Sequence, residues 1–225
     1  MSTPRPYFEN LGSKFEEWAD PFDVQRRQEL FCRMFLAVPP KGGALEIGCG
    51  YGALTQDFQK CFDFLSVLDI SMELSERVSA KFGIPGWAAD ALKLPFDNGS
   101  IENIVSSECI EHTGNPKSAV AEMCRVLKPG GRIYLSTPNK LWSPVIRLGS
   151  ILKIRKFRDR EIFVSIRQLK SVMEQNGVQL LHVDSCHLIP WQLPFAKSII
   201  RMTDRFGSRL HHISVNIAVV GQKTE

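Results

Sequence analysis

Three glycines at alternate positions, Gly48, Gly50 and Gly52, directly behind the apolar run Ala44-Leu45-Glu46-Ile47, constrain this chain more than any other feature. An apolar run of that length reads as a buried strand, and an amphipathic helical pattern resumes at Ala53-Leu54. The stretch predicts a strand, a tight turn and a helix start in succession. Glycine suits the turn because it takes positive φ freely and because a missing Cβ lets backbone lie against a ligand. The helix opening behind it offers unpaired N–H groups and the positive end of its dipole. Asp69 closes the next apolar run, Phe64-Leu65-Ser66-Val67-Leu68, at the spacing where an acid meets ribose hydroxyls in nucleotide-binding βαβ units. The pattern points to a nucleoside-containing ligand. Gly48-Cys49-Gly50-Tyr51-Gly52-Ala53 also satisfies the dinucleotide pattern with alanine in its last place, which keeps an NAD-dependent oxidoreductase as an alternative. Glu46 argues against that, because a carboxylate at the strand tip repels a pyrophosphate and suits a cationic ligand.

Strands and helices alternate downstream. Residues 64–68 read as a second strand, Ser71 as the N-cap of a helix reaching Lys81-Phe82, and 86–90 as a third strand ending at Asp90. A fourth strand over 101–109 precedes Asn115-Pro116, a cap and first-turn proline opening a helix whose buried stripe is Ala119, Met123, Val126 and Leu127. A fifth strand over 132–137, a helix from Ser165 closed at Asn176-Gly177, a sixth strand over 179–187 and a last one over 213–220 complete the pattern. Ligands of open α/β sheets sit outside the carboxyl ends of the strands, so Ser107, Glu108, Glu111 and His112 are expected to face the crevice.

With Glu46 ahead of the glycines, the chain resembles the S-adenosylmethionine (SAM) dependent methyltransferases of the Rossmann-like class I, in their methyltransferase type 11 group. The resemblance rests on acid-x-Gly-x-Gly-x-Gly at 46–52, on Val67-Leu68-Asp69-Ile70-Ser71, on Ala89-Asp90-Ala91-Leu92-Lys93-Leu94-Pro95-Phe96, on Glu111-His112 and on Arg125-Val126-Leu127-Lys128-Pro129-Gly130-Gly131-Arg132, in the family's order. It implies an α/β fold, a Rossmann-like doubly wound seven-stranded sheet, mostly parallel with an antiparallel last strand. It also implies SAM as cofactor and S-adenosyl-L-homocysteine as product, contacted by Glu46, Gly48, Cys49, Gly50, Gly52, Asp69, Ile70, Asp90, Ala91, Leu92, Ser107 and Glu108. Within that set, Asp90 would accept from the adenine amino group while Ala91 and Leu92 line the ring's pocket; the plainer role for Asp90 is to cap its own turn. Arg26 or Arg27 could pair with the cofactor's carboxylate as a bidentate donor, or both could be a solvated pair.

SAM brings the electrophilic methyl, so the protein mainly aligns an acceptor and, for a hydroxyl, removes its proton. His112 is the expected catalytic base, with a structural role as the alternative. No metal is assigned. The alternative is a divalent ion on Glu108, Glu111 and His112, because Glu108-x-x-Glu111-His112 and Ser136-Thr137-Pro138-Asn139 are similar to ubiquinone-biosynthesis O-methyltransferases. Here the following insertion lacks that subfamily's Pro-Lys-Gly-Thr-His run. The expected reaction is therefore methyl transfer to a small-molecule or lipid-like acceptor by O-methylation, with a non-catalytic SAM-binding protein as a further alternative.

At 225 residues one domain is the default, divided as a helical lead-in or cap over 1–40 and a SAM-binding domain over 41–225, with insertions at about 139–164 and 190–212. The first insertion is apolar from Leu141 and becomes basic over 153–160; in the second, Phe195, Ile199, Met202, Phe206 and Leu210 recur opposite Lys197, Arg201, Arg205 and Arg209. Both fit either a lid or peripheral contact with an anionic membrane, through 141–160 and 195–210. No apolar run approaches a membrane span and the start lacks a signal-peptide core, so the expected location is cytoplasmic, with a peripheral membrane variant. The six cysteines are scattered without a CxxC pair, which predicts reduced thiols rather than disulfides or zinc. A net charge of +4 and the lack of an Asn-Pro-Pro-Tyr motif speak against nucleic acid.

Overall fold

The computed structural model describes residues 14–151 and 161–225, so the basic cluster read over 153–160 lies outside the described residues. Seven strands, β1 (Gly43–Ile47), β2 (Phe64–Asp69), β3 (Gly86–Ala88), β4 (Ile101–Ser107), β5 (Leu127–Pro138), β6 (Val178–Cys186) and β7 (Asn216–Lys223), form one sheet. Their order is β3-β2-β1-β4-β5-β7-β6. β7 lies between β5 and β6 and runs antiparallel to both, while β1 through β5 pair in parallel. This is the doubly wound α/β sheet with an antiparallel last strand. Its order reverses between β1 and β4, the place where such sheets open a crevice.

Alternation along the strands feeds two apolar layers, as period-2 geometry requires. Leu45, Ile47, Ile104, Ile133, Leu135, Ile217 and Val219 face one layer, built with Ala119, Val120 and Met123 of α5 (Pro116–Val126) and Leu169 and Met173 of α7 (Ile166–Gln175). Ala44, Val67, Val105, Tyr134, Ala218 and Val220 face the other. There they meet Leu30, Phe31, Met34 and Phe35 of α2 (Pro21–Ala37), Phe58 of α3 (Thr55–Gln59) and Val78 of α4 (Met72–Phe82). The expected caps are realised: Ser71 Oγ accepts from Leu74 N–H at 3.4 Å, Asn115 Oδ1 from Ser118 N–H at 3.3 Å, and Ser165 closes a capping box with Gln168.

Several local expectations are corrected. Pro21 opens α2, because Asp20 accepts from Phe22 N–H at 2.9 Å and makes Pro21 the first helical residue. The short helix α1 (Lys14–Glu17) precedes it. Turns carry the chain from Gly50 to Leu54, so α3 begins at Thr55 and spans only five residues. β5 begins at Leu127, before Pro129-Gly130-Gly131, because Leu127 still pairs with Ile101 across a register shift. Cys32 and Cys61 are exposed, and all six cysteines are free.

After β5 the chain forms α6 (Ser143–Ile151), which buries none of its side chains, and returns by a bridge between Asn139 and Val164. Between β6 and β7 it forms α8 (Ala196–Thr203) and α9 (Gly207–Leu210). The two excursions are tied together where Asn139 Nδ2 donates to Ser214 O at 3.1 Å and Trp142 Nε1 donates to Ile213 O at 2.8 Å.

Candidate functional site

The carboxyl ends of β1, β2 and β4 deliver Glu46, Asp69 and Glu108 to one crevice. A narrow hollow of about 70 Å³ is lined by Ile47, Gly48, Gly50, Asp69, Ile70 and Asp90, with Ala91, Glu108 and His112 closing it. Gly48 and Gly50 take φ of 78° and 53°, and a Cβ on Gly48 would lie 2.4 Å from Cys109 Sγ. Only glycine fits there. Asp69 organises the turn: Oδ2 accepts from Gly50 N–H at 2.9 Å and Oδ1 from Ser71 N–H at 3.0 Å. Burial raises its pKa above the usual carboxylate range, and the N–H bonds from Ser71 and Gly50 pull against that rise. Asp90 caps its own turn, Oδ1 accepting from Leu92 N–H at 2.9 Å, and it also lines the hollow.

A larger cleft of about 850 Å³ adjoins this hollow. Its floor carries Glu46, Cys49, Ser107, Glu108, Glu111 and His112. Gly48, Gly50, Glu108 and His112 line both spaces, so the two meet at these four residues. Gly52 and Leu92 line neither. Gly52 has φ of 82°, and a Cβ there would lie 2.8 Å from Phe82 Cε2, so it serves the packing of the turn on α4. Leu92 packs against the core below.

The acids of the floor are buried, and of them Glu108 has a cation, Arg27, acting on it. Burial pushes Glu46 up to about 8, partly offset by the 2.7 Å bond from Thr55 Oγ1 to Oε2. Glu111 is raised by burial and by Glu108 nearby, and its Oε2 accepts from Thr137 Oγ1 at 2.9 Å. Glu108 is pushed up to about 7 by burial, with the positive charge of Arg27 pulling it down. Its oxygens accept from Ser136 Oγ at 3.0 Å and from Asn216 Nδ2 at 2.5 Å. Its backbone φ of 51° is unusual for a residue with a side chain, and strain of this kind concentrates at functional sites. His112 Nε2 lies 3.8 Å from Glu111 Oε1. Among the described residues no three His, Cys, Asp or Glu side chains are placed to hold a metal, so Glu108, Glu111 and His112 do not converge as a ligand set.

The two arginines ahead of the sheet part company. Arg26 pairs with Glu29 and lies over the Phe22 ring, whereas Arg27 lines the cleft with its Nη2 2.8 Å from Asp23 Oδ2. Burial opposes the Arg27 charge, but Asp23 and Glu108 outweigh it and hold the guanidinium firmly protonated. The opposite wall is apolar: Trp142, Val145, Ile146 and Leu148 from the first excursion, Trp191 and Leu193 from the second. Sequence reasoning did not assign Tyr51, Trp142, Trp191 or Asn216 to the site. The apolar run from Leu141 signalled Trp142; nothing local signalled Asn216, which reaches Glu108 only because β7 inserts beside β5.

Buried carboxylates facing a glycine cradle are the donor set expected for a hydroxyl-bearing, cationic nucleoside, and SAM has that chemistry. The known proteins agree with it. Residues 45–135 match the family described as a methyltransferase domain. An uncharacterized protein of Methanocaldococcus jannaschii is 30% identical over 128 residues, which are 57% of this chain and 59% of that protein, so the chain spans less than two thirds of that relative's length. The ubiquinone/menaquinone biosynthesis C-methyltransferase UbiE of Burkholderia mallei is 30% identical over 199 residues, 76% of this chain and 82% of UbiE. Among solved structures, N-methyltransferase NodS from Bradyrhizobium japonicum WM9, in complex with S-adenosyl-L-homocysteine, superposes with a TM-score of 0.70 over 100% of both chains at 16% identity, a likeness of fold.

Proposed function

From the premise that this chain belongs to the class I, Rossmann-like SAM-dependent methyltransferases, we propose that it methylates a small-molecule or lipid-like acceptor with an apolar body, at an oxygen. The observation that carries the reading is the junction at Gly48, Gly50, Glu108 and His112, where the narrow hollow beside Asp69 and Asp90 opens into an apolar-walled cleft. SAM, when bound, supplies the electrophilic methyl on a sulfonium. The chain's own residues do the rest. Asp69 takes the ribose hydroxyls, Asp90 and Ala91 the adenine, Arg27 the carboxylate, and the Gly48 to Gly50 backbone lies against the ligand. Trp142, Leu148, Trp191 and Leu193 hold the acceptor's apolar body and keep water from the reacting centre. Glu108 accepts the hydroxyl proton, and His112 beside it orients the acceptor oxygen.

A second reading is favoured by charge. Among the described residues, seven carboxyl groups line the cleft (Glu17, Asp20, Asp23, Glu46, Glu108, Glu111, Glu161) against one guanidinium, Arg27, which suits an amine acceptor. NodS is named an N-methyltransferase and UbiE a C-methyltransferase, so relatives of this fold serve more than one atom. Transfer of labelled methyl from SAM to matched apolar phenols and apolar amines separates the readings. Turnover of the phenols with the amines inert supports oxygen; the reverse supports nitrogen; labelling of neither removes the acceptor assignment.

Two substitutions test the cofactor side. Asp69→Ala is expected to weaken SAM binding about 30-fold, the equivalent of about 2 kcal/mol for lost ribose bonds and a loosened glycine turn. Arg27→Ala is expected to weaken it about tenfold, with a smaller effect on adenosine, which lacks the carboxylate. Calorimetric titration with SAM and with adenosine reads both, and an Arg27→Ala protein that loses the two ligands equally would remove the carboxylate role.

A further inference from the structure

We propose that the exposed apolar and basic face around the mouth of the cleft docks this protein on an anionic lipid bilayer. Large apolar side chains stand in solvent on both excursions: Leu141 is 59% exposed, Leu148 54%, Leu193 51%, Phe195 87% and Met202 59%. Single exposed apolar residues are ordinary, but a set gathered on one rim marks an interaction surface. The rim is continuous. Val145 and Leu148 line the same cleft as Leu193, and the bond from Trp142 Nε1 to Ile213 O joins the end of one excursion to the start of the other.

These side chains have no place inside the fold. α6 buries none of its residues, and α8 buries only Ala196 and Ile200, against Phe22. Phe195 precedes α8 in a left-handed conformation, φ 63°, where a bulky residue is disfavoured, and it still points its ring into solvent. A segment kept this way gains from burial that the fold itself does not supply.

Charge selects the occupant. Over 139–151 and 195–213 the chain carries Lys140, Arg147, Lys197, Arg201, Arg205 and Arg209, all exposed, and its one acid, Asp204, is buried. Of these cations Lys197 is paired, with Asp20 at 3.4 Å. Exposed apolar side chains on the same excursions as cations that, Lys197 aside, pair with no acid among the described residues fit the boundary between acyl chains and anionic headgroups. No described helix is long and apolar enough to cross a membrane, so the contact is peripheral. Docked in this way, the cleft opens toward the lipid phase, which places a lipid-like acceptor at its mouth.

The test is co-sedimentation of the full chain with vesicles of phosphatidylcholine alone and of phosphatidylcholine mixed with phosphatidylglycerol, without SAM or acceptor. Two variants are compared with the unaltered protein: Phe195→Asp, since aspartate tolerates a left-handed backbone, and the double variant Arg205→Glu with Arg209→Glu. The protein is expected to sediment with the anionic vesicles only and to be released by high salt. Phe195→Asp is expected to weaken binding about tenfold, and the double variant about 25-fold, at about fivefold for each cation removed from an anionic surface. SAM titration of each variant confirms an intact fold. Recovery in the supernatant with both vesicle types overturns the proposal, as does binding unchanged in both variants. A concentration-dependent dimer that Phe195→Asp dissolves, without vesicle binding, assigns the face to a second copy and also overturns it. Because vesicle binding is read without cofactor, its failure leaves methyl transfer standing, and failure of methyl transfer leaves the docking result intact.

Discussion

Glu108→Gln is expected to lower kcat about 10²- to 10⁴-fold, the range that a positioned general base contributes. The side chain lines both the nucleoside hollow and the cleft, and Ser136 and Asn216 fix its two oxygens. Burial lifts it to about 7, against the pull of Arg27, so near neutral pH it can both accept a proton and let it go. A base must be ionised to work. The kcat/KM of the unaltered protein is therefore expected to fall about tenfold per pH unit on the acid side of about 7, and glutamine removes that limb. His112→Asn, altering a residue that orients the acceptor, is expected to raise KM more than it lowers kcat and to leave the limb in place. The pH–rate profiles of the two variants decide the assignment. A Glu108→Gln enzyme that keeps its acid limb, with His112→Asn losing it, gives the proton to the imidazole.

The second large effect is on stability and follows from Glu46. The unfolded chain ionises this group in the ordinary carboxylate range, whereas in the fold burial keeps it protonated until about pH 8. Between those limits folding takes up a proton, so the contribution of Glu46 to stability is greatest at the acid end, declines as pH rises, and levels off above about 8. At about 1.4 kcal/mol per unit, the decline amounts to several kcal/mol. Glu46→Gln keeps an acceptor for Thr55 Oγ1 and carries no charge, so it is expected to be the more stable protein near pH 8 and no more stable near pH 5, in thermal melts without ligand. SAM affinity is expected to move the opposite way, since a cation favours the ionised carboxylate: it rises with pH in the unaltered protein and loses that rise in the variant. Parallel melts of the two proteins from acid to pH 8 would contradict the assignment of this proton.

What could be read from the sequence was what neighbours along the chain decide. Glycines at 48 and 50 need positive φ because of the turn they sit in, and Asp69 meets that turn because one βαβ unit brings it there. Caps at Ser71, Asn115 and Ser165 are likewise local. Boundaries failed where a distant partner set them: β5 reaches back to Leu127 through its pairing with Ile101. Proline punctuates both ends of helices, and the cap from Asp20 settles which end Pro21 marks here. In the site, spacing indicated the acids but not which of them lacks a counter-charge, since that depends on where Arg27 falls. Glu108 was legible as a residue facing the crevice; its partner Asn216 lies 108 positions away and carries no local sign of its role.

The insertion of β7 between β5 and β6 ties the site to the core. Every group proposed to hold the nucleoside belongs to the first half of the sequence, whereas Asn216, which holds Glu108, sits at the start of β7. Ile217 and Val219 of β7 fill one apolar layer and Ala218 and Val220 the other, so a change that loosens this strand slackens both sides of the sheet and the anchor of Glu108 together.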